Sequence, residues 1–337
     1  MPRSRRPRLR LALALLLALS LALGASAALY LMRDPQPHFA ARHAPIARVV
    51  ASAAELVDSA HTIQTARLTA ESGLAVELLV KRPVRAVPGA PVLLLLGGHR
   101  TGRDAARLIP DTRGAVVASL SYPFEGDPHL KGLGIVRKVP AIRRALLDTP
   151  PAIMLAVDYL LAQPWARGRA IELVGVSLGV PFTTVAGALD PRVTRVWAIH
   201  GSGGSYAPLE HNVRRNIPWP ASVAVAGLST VLIAGPQLDP ARWAPRIAPR
   251  PFIMVNALND ERMPRAGVEA LYRSAREPKE LIWVPGGHVR SRPEVVRGLV
   301  DLVLSRVMRP SEAAGGGWRV ERRGAADTPP GHAVGFY

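Results

Sequence analysis

The feature that most constrains this chain is a sharp turn between residues 170 and 189. An apolar run, Ala170-Ile171-Glu172-Leu173-Val174, reads as a buried strand, and the small and apolar residues from Val180 to Leu189 read as a helix. Between them stands Gly175-Val176-Ser177-Leu178-Gly179. Two glycines around a serine at a strand-to-helix junction let the backbone reverse sharply, so that the hydroxyl projects from the edge of a sheet. Such a turn needs a parallel sheet beneath it and a packed helix behind it.

The rest of the chain supplies both. Residues 67–82 form strand-like runs split by Gly73, a hairpin signal. Pro91–Leu96 is a solid apolar run ending in Gly97-Gly98, and Ala115–Tyr122 is the next strand. Residues 151–161 read as an amphipathic helix leading into the turn. Further strands are expected at Val193–Ile199, Pro251–Ala257 and Glu280–Val284, with helices at 265–275 and 294–308. Alternating strands and helices predict an α/β fold, a doubly wound and mostly parallel sheet with right-handed crossovers. Such sheets carry their sites at the carboxyl ends of the strands.

The first 33 residues stand apart. Arg3, Arg5, Arg6, Arg8 and Arg10 precede an uncharged stretch from Leu11 to Met32, long enough to cross a bilayer, for which about 20 residues suffice. The arginines predict a cytoplasmic N-terminus and an exported remainder. Ala25-Ser26-Ala27 offers a signal-peptidase site, yet the apolar run continues past it, which favours an uncleaved anchor. The domain is then periplasmic and membrane-held, or secreted if cleavage follows Ala27. Residues 34–61 read as a lead-in with a short helix at Ala47–Val57, residues 62–307 as the folded domain, and residues 308–337 as a disordered basic tail.

Composition narrows the chemistry. The 337 residues contain no cysteine, which excludes disulfides, thiolate metal sites and a cysteine nucleophile. A net charge of +18 invites nucleic acid, but only Lys81, Lys131, Lys138 and Lys279 among 43 basic residues are lysines, and the arginines are scattered without interleaved aromatics. Nucleic-acid binding is not expected. No phosphate loop, dinucleotide fingerprint or metal-ligand cluster appears, so no cofactor and no metal is expected.

A serine hydroxyl becomes a nucleophile when a base takes its proton, and that base needs a carboxylate to orient it. His288, in Val284-Pro285-Gly286-Gly287-His288, follows a strand and is the base candidate. His200, at the end of another strand, is the rival and reads better as a wall or substrate contact. The acid is Asp260 or its neighbour Glu261, both just after a strand. Two oxyanion donors are also required; the N–H of Leu178 and that of His99, in Gly97-Gly98-His99-Arg100-Thr101-Gly102, are placed to serve. Arg100 is a further substrate-contact candidate.

With these elements the chain resembles the α/β-hydrolase superfamily over residues 62–307. The resemblance rests on Gly97-Gly98-His99, the Gly175–Gly179 turn, the D-x-x-M-P pattern from Asp260 to Pro264, and Gly286-Gly287-His288. It is similar to the dienelactone-hydrolase and acetyl-esterase-like branch, through the helix before the turn and through Asp239-Pro240 and Ile247-Ala248-Pro249-Arg250-Pro251 before the acid strand. Dienelactone hydrolases proper use a cysteine, which this chain lacks. Val180 replaces a common glycine, and Gly97-Gly98 replaces a usual His-Gly. The resemblance implies Asp260 as the acid, with Glu261 beside the site and not touching His288. It implies a serine hydrolase acting on a small-molecule carboxylic ester. A peptidase or acyltransferase would use the same triad, and a non-catalytic binding module would share the fold. The superfamily often inserts a cap, here residues 202–248, whose apolar run Ala221–Ala234 is expected to roof the pocket or to touch a membrane.

Overall fold

The computed structural model describes residues 6–85, 87–98, 101–124, 134–289 and 293–307. The tail from residue 308 therefore lies outside the described residues, as do His99 and Arg100.

A long helix, α1 (Arg6–Met32), opens the chain, and only three residues separate it from α2 (Gln36–Arg42). Strands β1 (Ile46–Ala51) and β2 (Glu55–Leu56) follow, then the hairpin β3 (His61–Ala70) and β4 (Ala75–Pro83), turned at Gly73 with φ +76°. Next come β5 (Val92–Leu96), a 3-10 turn at Gly102–Leu108, β6 (Val116–Leu120) and α3 (Gly134–Leu161). The second half alternates β7 (Ile171–Val176), α4 (Gly179–Leu189) and β8 (Val193–Ile199). The inserted helices α5 (Tyr206–Val213), α6 (Ala221–Leu232) and α7 (Pro240–Trp243) lead to β9 (Phe252–Ala257), α8 (Arg265–Ser274), β10 (Lys279–Val284) and α9 (Pro293–Val307).

The strands form one sheet in the order β1-β3-β4-β6-β5-β7-β8-β9-β10, with β2 also paired to β3. The β1–β3, β3–β4 and β4–β6 pairs are antiparallel; from β6 to β10 every pair is parallel. The chain goes from β5 outward to β6 and then crosses to β7 on the other side of β5. That reversal opens a crevice at the carboxyl ends of β5 and β7, the place where open α/β sheets bind ligands. Every residue of β5 is buried, as befits a strand covered on both faces.

Three elements differ from the sequence reading. Residues 47–57, read as helical from their alanines, are mostly extended: β1 pairs with β3 from Ile46↔Ala70 to Ala51↔Ala66, and this pairing outweighs the weak helix preference of a short segment. The helix α3 starts at Gly134 and runs through Pro140, Pro150 and Pro151; its second half buries Ile153, Leu155, Val157 and Leu160, and that packing overrides the prolines as a start signal. Residues 36–56, read as a lead-in, join the core and the sheet edge. Phe39 is buried and packs on Trp243, Arg42 donates two hydrogen bonds to Asp148 at 3.0 and 2.9 Å, and His43 pairs with Asp158 at 2.7 Å.

Burial of Phe39 gives a test. Phe39→Ala should cost about 3–5 kcal/mol, the usual range for removing a fully buried phenyl ring, and should lower the urea midpoint accordingly. An unchanged midpoint would mean that α2 is a passive linker.

Candidate active site

Both glycines of the turn are demanded by contact distances. A Cβ on Gly179 would lie 1.9 Å from the Leu96 carbonyl oxygen, and one on Gly175 would meet Thr183 Oγ1 at 2.1 Å and the Val180 backbone at 2.9 Å. Helix α4 thus lies against β5 and β7 at a separation that only glycine permits. Ser177 between them has φ +54°, a left-handed conformation rare for a side-chain-bearing residue and held here by its N–H donating to the Ile199 carbonyl at 2.8 Å.

The strained serine faces His288. Ser177 Oγ lies 2.8 Å from His288 Nε2, and His288 Nδ1 lies 2.9 Å from each Asp260 carboxylate oxygen. With the imidazole proton on Nδ1, donated to Asp260, Nε2 is left to accept the serine proton. The chain order is Ser177, Asp260, His288, each residue just beyond the carboxyl end of its strand, β7, β9 and β10. The Asp260 side chain is 2% exposed and accepts backbone N–H bonds from Arg262 and Met263 at 2.9 and 3.0 Å. Burial pushes its carboxyl up, but bonds from His200, His288 and Arg262 N–H, with the charge of His288, outweigh burial and hold it well below the usual carboxylate range.

Glu261 also touches His288, contrary to expectation. Its Oε2 accepts the His288 backbone N–H at 2.8 Å, which fixes the loop that carries the imidazole and holds the Glu261 carboxyl below its ordinary value. The side chain turns to the backbone while Asp260 takes the ring, so adjacent acids divide the work.

His200, expected as a wall or substrate contact, is absent from the described lining of the cleft. It is 2% exposed, and its Nδ1 bonds Asp260 Oδ2 at 2.8 Å while its ring stands edge-on to His288, centroids 5.2 Å apart. It has φ +52°, held by its N–H on the Val255 carbonyl at 2.7 Å. The sequence offered one signal for this role, a histidine ending a parallel strand next to the strand that precedes the acid. His200, Asp260 and His288 place three ligand atoms within 4.8 Å of one another. Both imidazoles already bond the carboxylate, so a metal ion there would have to displace those bonds.

Leu178 caps α4 beside Ser177 and lines the cleft, 40% exposed. Opposite it, Gly97 and Gly98 form a turn pinned by Tyr122 O–H donating to Gly97 O at 2.7 Å and by Thr101 Oγ1 and N–H donating to Gly98 O. The open cleft, about 910 Å³, has Ser177, His288 and Gly98 at its upper rim. Its wall toward the sheet and α9 is apolar, with Leu95, Val174, Val176, Ile109, Val303 and Leu304, while Thr101, Asp104, Arg215, Glu261 and Arg262 line the rest. Helix α6 contributes nothing to the described lining. The apolar surface comes from below, between the sheet and α9, and not from the expected roof. Among the described residues the cap reaches the cleft only through Arg215, whose Nη1 donates to the Glu261 carbonyl at 3.2 Å.

No family model and no curated protein matches the sequence. Solved structures do match. The acetyl xylan esterase 1 of a Thermoanaerobacterium species superposes with a TM-score of 0.59 at 16% identity, over 82% of this chain and 93% of that one. The chain adopts the α/β-hydrolase fold. An acetyl xylan esterase of a Paenibacillus species gives a TM-score of 0.58 at 17% identity, covering 80% and 92% of the two chains. An α/β hydrolase of a Penicillium species gives 0.51 at 18% identity, covering 72% and 96%.

Acid stability tests the shared carboxylate. Because the folded carboxyl of Asp260 is held below its unfolded value, its contribution is full above about pH 4 and is lost as pH falls toward the folded value. The stability gap between wild type and Asp260→Asn, read as urea midpoints, should therefore narrow below pH 4. A constant gap from pH 7 to pH 3 would show that the carboxylate's charge contributes nothing to folding.

Proposed function

We propose that the protein is a serine hydrolase of carboxylic esters, held at a membrane by α1 with its catalytic domain exported. The observation that carries this reading is the hydrogen-bonded line Ser177 Oγ, His288 Nε2, His288 Nδ1, Asp260. Similarity of fold to two acetyl xylan esterases supports an ester in place of a peptide.

In this mechanism Ser177 Oγ attacks the ester carbonyl carbon while His288 Nε2 takes the hydroxyl proton. Asp260 stabilises the imidazolium and keeps the ring in place. The carbonyl oxygen becomes an anion, which the N–H groups of Leu178 and His99 receive. The C–O bond to the alcohol breaks, the alcohol leaves with the proton from His288, and Ser177 stays acylated. Water, deprotonated by His288, then releases the carboxylic acid and restores the serine. The apolar wall below Ser177 takes the acyl chain, since it offers carbon surface and few polar partners. The uncharged part of α1, Leu13–Tyr30 with mean hydropathy 2.1, supports the tether, with the arginines of the N-terminus on the cytoplasmic side.

A fluorophosphonate probe should label wild-type protein on Ser177 and leave Ser177→Ala unlabelled and equally stable. Absence of label on folded wild-type protein would favour a binding module. Asp260→Asn should lower kcat by about 10⁴-fold, as when an imidazole loses its orienting carboxylate. Glu261→Gln keeps an acceptor for the His288 N–H and should cost about tenfold or less; the reverse ranking would make Glu261 the acid.

The acyl wall makes a separate prediction. Across nitrophenyl esters from acetate upward, kcat/KM should rise about fourfold per added methylene, from ~0.8 kcal/mol of burial each, until the cleft is filled. A maximum at acetate would mean that the cleft below Ser177 does not receive the acyl chain.

A further inference from the structure

Helix α6 is amphipathic the wrong way round for a helix packed on a watery surface. It carries no charged residue, and its inward side holds Ser222 and Thr230 with Ala226, at 0%, 7% and 0% exposure. Its outward side, at three- and four-residue spacing, holds Ala221, Ala224, Val225 and Leu228, with Leu228 62% exposed. Trp219, just ahead of it, is 69% exposed. A soluble surface helix puts its apolar stripe against the core, so this stripe faces an apolar partner.

The end of α1 identifies that partner. Arg143 of α3 donates to the Val231 and Leu232 carbonyls at the end of α6, at 3.0 and 3.2 Å, and its guanidinium lies 4.7 Å from the ring centroid of Tyr30, near the end of α1. Gln237, just after α6, donates to the Tyr30 carbonyl at 3.3 Å. The end of the candidate span and the end of α6 are thus clamped by the same arginine. Because α3 runs back from the carboxyl edge of the sheet, where β6 ends, toward the amino edge, where β7 begins, Arg143 in its first half lies toward the edge that bears Ser177. Arg137, Lys138 and Arg144 are also exposed on the first half of α3, on other faces of the helix than Arg143, and add cations suited to anionic headgroups.

We propose that α6 lies in the interface of the leaflet where α1 ends, its Ala221, Ala224, Val225 and Leu228 face among the lipid chains, so that the anchored domain holds its catalytic edge toward the bilayer. This rests on the reading of α1 as a membrane anchor. Twelve residues of helix are about 18 Å long, too short to cross an apolar core of about 30 Å, so α6 lies along the surface. Trp219 suits the headgroup level, where amphipathic rings concentrate. The adjoining clamp to α1 favours lipid over a second copy of the chain as the occupant.

The absence of cysteine makes single-cysteine labelling clean. Full-length Leu17→Cys, Val225→Cys, Leu228→Cys and Arg167→Cys, each carrying an environment-sensitive dye, would be reconstituted in vesicles of phosphatidylglycerol and phosphatidylethanolamine containing brominated lipid. Arg167 is exposed near the amino edge of the sheet and serves as the aqueous control. Quenching by brominated lipid is expected at positions 17, 225 and 228, with iodide quenching at 167 alone. Lipid quenching at 17 with iodide quenching at 225 and 228 would overturn the inference and leave the anchor standing. Dyes at 225 and 228 shielded from both quenchers would overturn it in favour of a protein occupant. No lipid quenching at 17 would remove the anchor and the inference together. As a functional check, V225S/L228S should hydrolyse soluble nitrophenyl butyrate at the wild-type rate and act about tenfold more slowly on the same chromophore's long-chain ester embedded in those vesicles. Equal loss on both substrates would point to a structural defect and overturn the assignment of the face to lipid.

Discussion

The close approach of α4 to β5 is the constraint on which the sheet edge that bears Ser177 depends. With the Leu96 carbonyl 1.9 Å from where a Cβ would stand on residue 179, the helix sits nearer the sheet than any side chain would allow. That approach sets Ser177 at φ +54° and aims its hydroxyl away from the sheet toward the crevice between β5 and β7. It also sets the Leu178 amide opposite the Gly97-Gly98 turn. A small displacement of α4 would move the Ser177 hydroxyl and the Leu178 amide together, so the helix–sheet contact fixes the geometry of the cleft as well as the packing.

Asp260 is the second fixed point. Two backbone N–H groups and two imidazoles converge on one buried carboxylate, a density of donors that keeps it charged inside protein. Because His200 occupies Oδ2 from one side, the carboxylate has little freedom to swing away from His288. Glu261, the neighbour in sequence, restrains the same histidine through its backbone. The imidazole is thus gripped at ring and main chain by adjacent residues of a single loop.

Much of this was legible in the residues. The G-x-S-x-G turn, the glycines before His288 and the all-apolar β5 are local patterns, and local patterns survive folding because they describe backbone needs. What was not legible depended on long-range pairing. The segment around Arg48-Val49-Val50 becomes a strand only because β3 is there to receive it. His200 acquires its partner only when β8 and β9 lie side by side, which brings residues sixty apart into contact. The apolar run at 221–234 reads correctly as a helix, but hydropathy alone says nothing of which side faces outward; that required seeing Ser222 and Thr230 turned in.

The three residues between α1 and α2 carry a consequence for how such a molecule would find substrate. Three residues reach at most about 10 Å when extended, and α2 is fastened to the core through Phe39, Arg42 and His43. With α1 in a bilayer, the domain cannot range outward on a leash or turn freely about its stalk. Its search becomes two-dimensional: it meets molecules that dissolve in, adsorb to or leave the membrane, at surface concentrations far above their bulk values. Affinity for the substrate itself can then be modest, because geometry has already done the concentrating.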